Sequence, residues 1–183
     1  MTKNYLNKYL NKFNSLIELD KISLKKLETA ATLINQTYNK NKIIIFGNGG
    51  SASIAGHFTV DLIKNTKLRS INFSDPAILT CFANDYGYEN WVTQALKIYS
   101  DKNDVVILIS SSGMSKNMIK AANYAKKNKL KIITFTGFNK SNTLGKKGDI
   151  NFWVNSHNYN HIENAHQLLL LTICDFIAKK KFW

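Results

Sequence analysis

Two short segments of this 183-residue chain gather the residue types that grip an oxygen-rich ligand. The first, GNGGSAS, runs from Gly47 to Ser53. Its glycines permit positive φ and let a ligand approach the backbone. The helix expected after it opens with N–H groups suited to an anion or to polar hydroxyls. No Gly-Lys-Ser/Thr follows, and Ala52 occupies the last glycine position of G-x-G-x-x-G, so neither nucleotide pattern is met and no nucleotide cofactor is expected. The alternative is a plain tight connection. The second segment, SSSGMS, runs from Ser110 to Ser115. Hydroxyls and backbone N–H groups crowded at the mouth of a helix suit a phosphate group with no metal needed. Helix capping is the competing use, but one serine suffices for that.

Each segment follows an apolar run, IIIF before the first and DVVILI before the second, and each precedes a helical pattern. Strands are expected at Ile43–Phe46, Ser70–Phe73, Ile78–Phe82, Val105–Ile109, Lys131–Phe135 and Ile150–Val154. Helices are expected around Ser53–Lys64, Asn90–Ser100, Lys116–Asn128 and Ile162–Lys179. Such alternation means βαβ units and a parallel sheet covered on both faces. Two helical patterns come first, NYLNKYLNKFNSLIEL and SLKKLETAATLINQTY, the second with Ser23 as its expected N-cap. The expected architecture is a single doubly wound α/β sandwich over 1–183. Residues 1–40 form a helical N-terminal extension that packs on the core or on a neighbouring subunit, and a long helix closes the chain. Ligands in such sheets sit beyond the carboxyl ends of the strands, where both segments fall.

Apolar residues make up 44% of the chain, enough for a real core. No run approaches the roughly 20 apolar residues a membrane helix needs, and the lysine-bearing start has no separate apolar block, so a cytoplasmic protein without membrane contact is expected. Cys81 and Cys174 have no metal-type spacing. The net charge of +13 invites a nucleic-acid reading. The lysines are scattered among asparagines, however, with only short clusters such as Lys126–Lys127, Lys146–Lys147 and Lys179–Lys181. The surplus charge instead favours an anionic small molecule.

FGNGGSASIAGHFTVDL, CFANDYGYE, ILISSSGMSKNMIKAA and KIITFTG, in this order and spacing, resemble the sugar-isomerase (SIS) domain, and within it the phosphoheptose isomerase branch. The resemblance implies aldose–ketose isomerisation of sedoheptulose 7-phosphate through an enediol. It implies that Ser110, Ser111, Ser112 and Ser115 hold the phosphate. Asn48, Gly49, Gly50, Ser51, Asn84, Asp85 and Glu163 are implied as sugar contacts. It also implies a homo-oligomer, a tetramer, with pockets near subunit boundaries. The apolar closing helix agrees, since a helix apolar around most of its circumference needs cover on every side.

The catalytic half departs from the family pattern. The family's proton-moving glutamate is Asp61, which shares a helical face with His57 four residues earlier. Glu163 stands in place of a glutamine, and Leu171 in place of the acid/base histidine. Leucine can neither transfer a proton nor bind a metal. His57, Asp61 and Glu163 remain a set of types able to hold zinc or another divalent ion. His166 lies on the face of Glu163 and is a structural histidine or a substitute acid/base, while His157 and His161 read as exposed loop residues. Two functions stand open: an isomerase using Asp61, or a catalytically impaired relative acting as a sugar-phosphate sensor or scaffold like the initiator-associating proteins.

Overall fold

The computed structural model describes residues 2–179. The chain runs α1 (Thr2–Ile17), α2 (Lys21–Asn35), β1 (Ile43–Phe46), α3 (Gly50–Asp61), β2 (Ser70–Asn72), α4 (Pro76–Tyr86), α5 (Trp91–Tyr99), β3 (Val105–Ser110), α6 (Lys116–Lys127), β4 (Lys131–Thr136), β5 (Ile150–Trp153) and α7 (Tyr159–Ala178). The five strands form one sheet of order β2-β1-β3-β4-β5, and every pairing is parallel. β1 and β3 are buried along their whole length, which is why they read as unbroken apolar runs.

Alternation along each strand splits the interior in two. Ile43, Ile45, Val105, Ile107 and Ile109 face a core closed by α2, α3 and α7. Ile44, Phe46, Val106 and Leu108 face a second core closed mainly by α5 and α6. α2 joins the first core through Leu27, Ala30, Ala31 and Ile34. α1 lies against Val154, Ile162 and Ala165 through Phe13, Leu16 and Ile17, leaving Tyr5, Leu6 and Leu10 exposed.

Two local expectations are corrected. Ile78–Phe82 is not a strand but the middle of α4: Asp75 accepts hydrogen bonds from the N–H groups of Ala77 and Ile78, and Pro76 takes the first helical position, where its missing N–H costs nothing. A capped start outweighs a short apolar run. The cap of α2 is Asp20, whose carboxylate accepts the Ser23 N–H at 2.7 Å, so Ser23 lies inside the helix. Of the lysine cluster 179–181, Lys180 and Lys181 fall outside the described residues.

Candidate functional site

The sheet order reverses between β1 and β3: the chain leaves β1 toward β2 on one side and continues from β3 toward β4 on the other. Such a switch point opens a crevice beyond the strand ends. The loop after β1 and the loop after β3 lie side by side there. Gly49 adopts φ 54°, a left-handed conformation suited to glycine, and heads α3. The two loops are tied by a reciprocal amide pair: Asn48 Nδ2 donates to Asn117 Oδ1 at 3.1 Å, and Asn117 Nδ2 donates to Asn48 Oδ1 at 2.9 Å. The Tyr88 hydroxyl adds a third bond to Asn48 Oδ1 at 3.0 Å.

Between the loops lies a cavity of about 110 Å³, lined by Ser110, Ser111, Ser112 and Ser115 on one side and by Asn48 and Ser51 on the other. Tyr159 and Glu163 of α7 close it. Its volume matches a few waters at about 30 Å³ each, which is the scale of a phosphate group rather than of a whole sugar phosphate. Helix capping does not account for the serines. Ser115 holds the cap position of α6 but makes no side-chain cap bond; its hydroxyl meets Ser110 Oγ at 3.0 Å instead. The Ser111 hydroxyl is buried, lines the cavity and has no hydrogen-bond partner among the described residues. Gly113, at φ 65°, makes the turn, and its N–H donates to Ser110 O at 2.9 Å. Among the described residues no cation lines this cavity. An anion placed there would be held by hydroxyls and by the N-terminal ends of α3 and α6.

Glu163 rests against Gly50, where the Cβ of any other residue would collide with its carboxyl. Burial pushes its carboxyl above the usual carboxylate range. His57 and Asp61 lie further along α3: His57 Nε2 is 3.6 Å from Asp61 Oδ2, and Nδ1 is 3.2 Å from Gln167 Nε2, so that amide donates and Nδ1 accepts. The three residues expected to hold zinc or another divalent ion are therefore divided, with Glu163 in the serine cavity and the other two below it. No group of three or more His, Cys, Asp or Glu placed to hold a metal ion occurs among the described residues. The side chains as arranged do not fit the metal.

The remaining sites sort plainly. Asn84 and Asp85 sit on exposed α4, bonded to each other at 2.9 Å, and neither lines the serine cavity of this chain. His166 is fully buried, packs edge-on against Phe135 and lies 3.1 Å from Thr136 O, so Nε2 carries the proton and donates it. Burial lowers its pKa to about 4. It is a core histidine. His161 is not an exposed loop residue: it lies buried in the first turn of α7, its ring 4.1 Å from Tyr9 and 6.0 Å from Phe13, fastening α1 to α7. His157 is exposed, beside Phe138. Leu171 is half-buried on α7. Sequence reading missed Tyr88, Asn117, Tyr159 and Gln167, whose orientation toward the crevice depends on tertiary packing rather than on any local pattern.

The crevice at a switch point, floored by glycine and serine loops, defines an α/β domain that binds a phosphorylated ligand. The chain belongs to the SIS domain family, whose profile matches residues 5–137. It is 38% identical over 162 residues to a phosphoheptose isomerase of Thermodesulfovibrio yellowstonii, covering 85% of this chain and 80% of that relative. It is 37% identical over 153 residues to a phosphoheptose isomerase of Helicobacter pylori, covering 80% of this chain and 79% of that relative. Among solved structures, a phosphoheptose isomerase of Neisseria gonorrhoeae superposes with a TM-score of 0.86 at 28% identity, covering 96% of this chain and 98% of that one.

Proposed function

We propose that the protein isomerises a phosphorylated ketose to the corresponding aldose, sedoheptulose 7-phosphate to heptose 7-phosphate, through an enediol. The observation that carries this reading is the cavity at the β1/β3 switch point, whose serine hydroxyls are spent neither on capping α6 nor, for Ser111, on any protein partner. The named relatives support the isomerase rather than the scaffold. In this reading Ser110, Ser111, Ser112 and Ser115 receive the phosphate, and the sugar leaves the small cavity along Asn48, Gly49, Gly50 and Ser51. Asn84 and Asp85 reach a sugar across a subunit boundary. A carboxylate moves the proton between C1 and C2, and position in the family nominates Asp61.

The protein acts as a homo-oligomer, the family's tetramer. Val60, Ile63, Leu168 and Phe176, on α3, just beyond it and on α7, are exposed apolar side chains that a neighbouring subunit would cover. Solvent deuterium appearing at C1 or C2 of sedoheptulose 7-phosphate tests the chemistry, and its absence with every heptose or hexose phosphate refutes it.

A further inference from the structure

We propose that Asn117 and Tyr88 are positioning residues that lock the Asn48 amide in one orientation, so that it offers the sugar phosphate a single N–H donor and no acceptor. That role rests on the sugar-phosphate reading of the serine cavity. Asn48 lines that cavity across from Ser110, Ser111 and Ser112. It also lines the adjoining cavity, which Tyr88, Asn117 and Lys116 share.

A primary amide carries two N–H donors and two acceptor lone pairs, and the bonds of Asn48 leave one donor over. Its Oδ1 accepts from Asn117 Nδ2 at 2.9 Å and from the Tyr88 hydroxyl at 3.0 Å, which fills both lone pairs. Its Nδ2 donates to Asn117 Oδ1 at 3.1 Å, which uses one N–H. The second N–H remains for a ligand. Turning the Asn48 amide over would set NH₂ against NH₂ and oxygen against oxygen across the pair. Asn117 cannot turn with it, because the Met118 N–H donates to Asn117 Oδ1 at 3.0 Å and would then meet an NH₂ group. Orientation therefore starts at a backbone N–H of α6 and passes through Asn117 to Asn48. A donor so fixed attracts the oxygens of an anion, whereas an amide oxygen in its place would repel them.

The surrounding elements hold this arrangement. Met118 lies in the first turn of α6, where N–H groups have no partner within the helix. Asn117 satisfies one of them, and Ser115, the cap residue, keeps its hydroxyl out of capping and in the wall of the cavity. Asn117 is buried, so water does not compete for its amide. Tyr88 stands in the short connection between α4 and α5, which is fastened to α6 in turn. Lys120 pairs with Glu89 and donates to Asn90 Oδ1 at 2.9 Å, and Asn90 Nδ2 donates to Tyr86 O at 2.8 Å. One helix thus carries both the residue that orients Asn48 and the residue that anchors the loop bearing Tyr88.

The test is a double-mutant cycle on binding of sedoheptulose 7-phosphate, measured by calorimetric titration together with Tm, KM and kcat. It uses the wild type, Asn48→Ala, Tyr88→Phe, Asn117→Ala and each of the last two combined with Asn48→Ala. Asn48→Ala loses a ligand hydrogen bond and is expected to weaken binding about tenfold or more. Tyr88→Phe frees the amide without removing it and weakens binding by less, at least about twofold, the scale of ordering one side chain. Its loss falls on KM, with kcat within about twofold of the wild type. Asn117→Ala, which lacks two of the three bonds to Asn48, loses at least as much. In the Asn48→Ala background neither change weakens binding further, because both act through Asn48; a merely structural role would move Tm and leave no such coupling. Tyr88 is exposed, so its variant decides the matter if Asn117→Ala folds poorly. Losses that persist undiminished in the Asn48→Ala background overturn the inference, as does wild-type binding by Tyr88→Phe. Wild-type binding by Asn48→Ala, with Ser111→Ala weakened, overturns it and leaves the cavity reading standing. Absence of binding by the wild type overturns the cavity reading and the inference with it.

Discussion

Replacing Ser111 by alanine should leave the free protein almost unchanged and weaken its complex. In the free protein the Ser111 hydroxyl has no hydrogen-bond partner among the described residues and faces a cavity with room for a few waters. Alanine removes the hydroxyl without breaking a protein hydrogen bond. The net expectation for the free protein is a change within about 0.5 kcal/mol, or roughly 1–2 °C in Tm for a chain of this size. In the complex the same hydroxyl would donate to a charged phosphate oxygen, a bond worth about 1.5–3 kcal/mol. Its loss weakens binding roughly 10- to 150-fold at 1.36 kcal/mol per decade. Thermal melts of the free proteins and calorimetric titration with sedoheptulose 7-phosphate measure both arms. A mutant that melts lower than the wild type and binds within twofold of it would refute the claim that this serine is held for a ligand.

Gly50→Ala should drive the Glu163 carboxyl out of its seat and lower isomerase turnover on the order of 10²-fold, the cost of about a 1 Å misplacement of the sugar beside it; turnover within twofold of the wild type would count against the seat. His166 has a folded-state pKa of about 4 against an ordinary value of 6.5, so the unfolded chain binds its proton more readily. Its contribution is fully present above pH 6.5 and is lost as pH falls toward 4, by about 3 kcal/mol; His166→Phe should flatten that part of a Tm-against-pH curve. Asp20→Ala removes the cap of α2 and should lower the midpoint of chemical denaturation. Light scattering should return a mass near four chains, and Leu168→Glu, which places charge on an exposed apolar position of α7, should reduce it toward one.

The sheet was legible because β1 and β3 are buried on both faces, and such strands write themselves as unbroken runs of isoleucine, valine and leucine. The two loops were legible for a related reason: three consecutive serines and three glycines in four positions have few purely structural uses at strand ends. α4 was not legible as a helix, because its apolar run Ile78–Phe82 is too short for its period to show and its deciding feature is the Asp75–Pro76 start. The catalytic side chains were the hardest to read. Spacing puts His57 and Asp61 on one face of α3, as they are, but it says nothing of how α7 crosses that helix. That crossing sets Gln167 on His57 and Glu163 over Gly50, and it separates a ligand set that sequence alone groups together. His161 reads as a loop residue until α1 folds over it.

The central claim is that the serine cavity at the β1/β3 switch point receives the phosphate of a sugar phosphate. A crystal structure with sedoheptulose 7-phosphate bound tests it most directly. Phosphate oxygens are expected within hydrogen-bond reach of Ser111 Oγ and its neighbouring serines, about 2.5–3.2 Å, with the sugar running out past Gly50. A phosphate seated elsewhere, such as the open groove that Lys21, Lys25, Lys26 and Lys140 line beside β5, would contradict it.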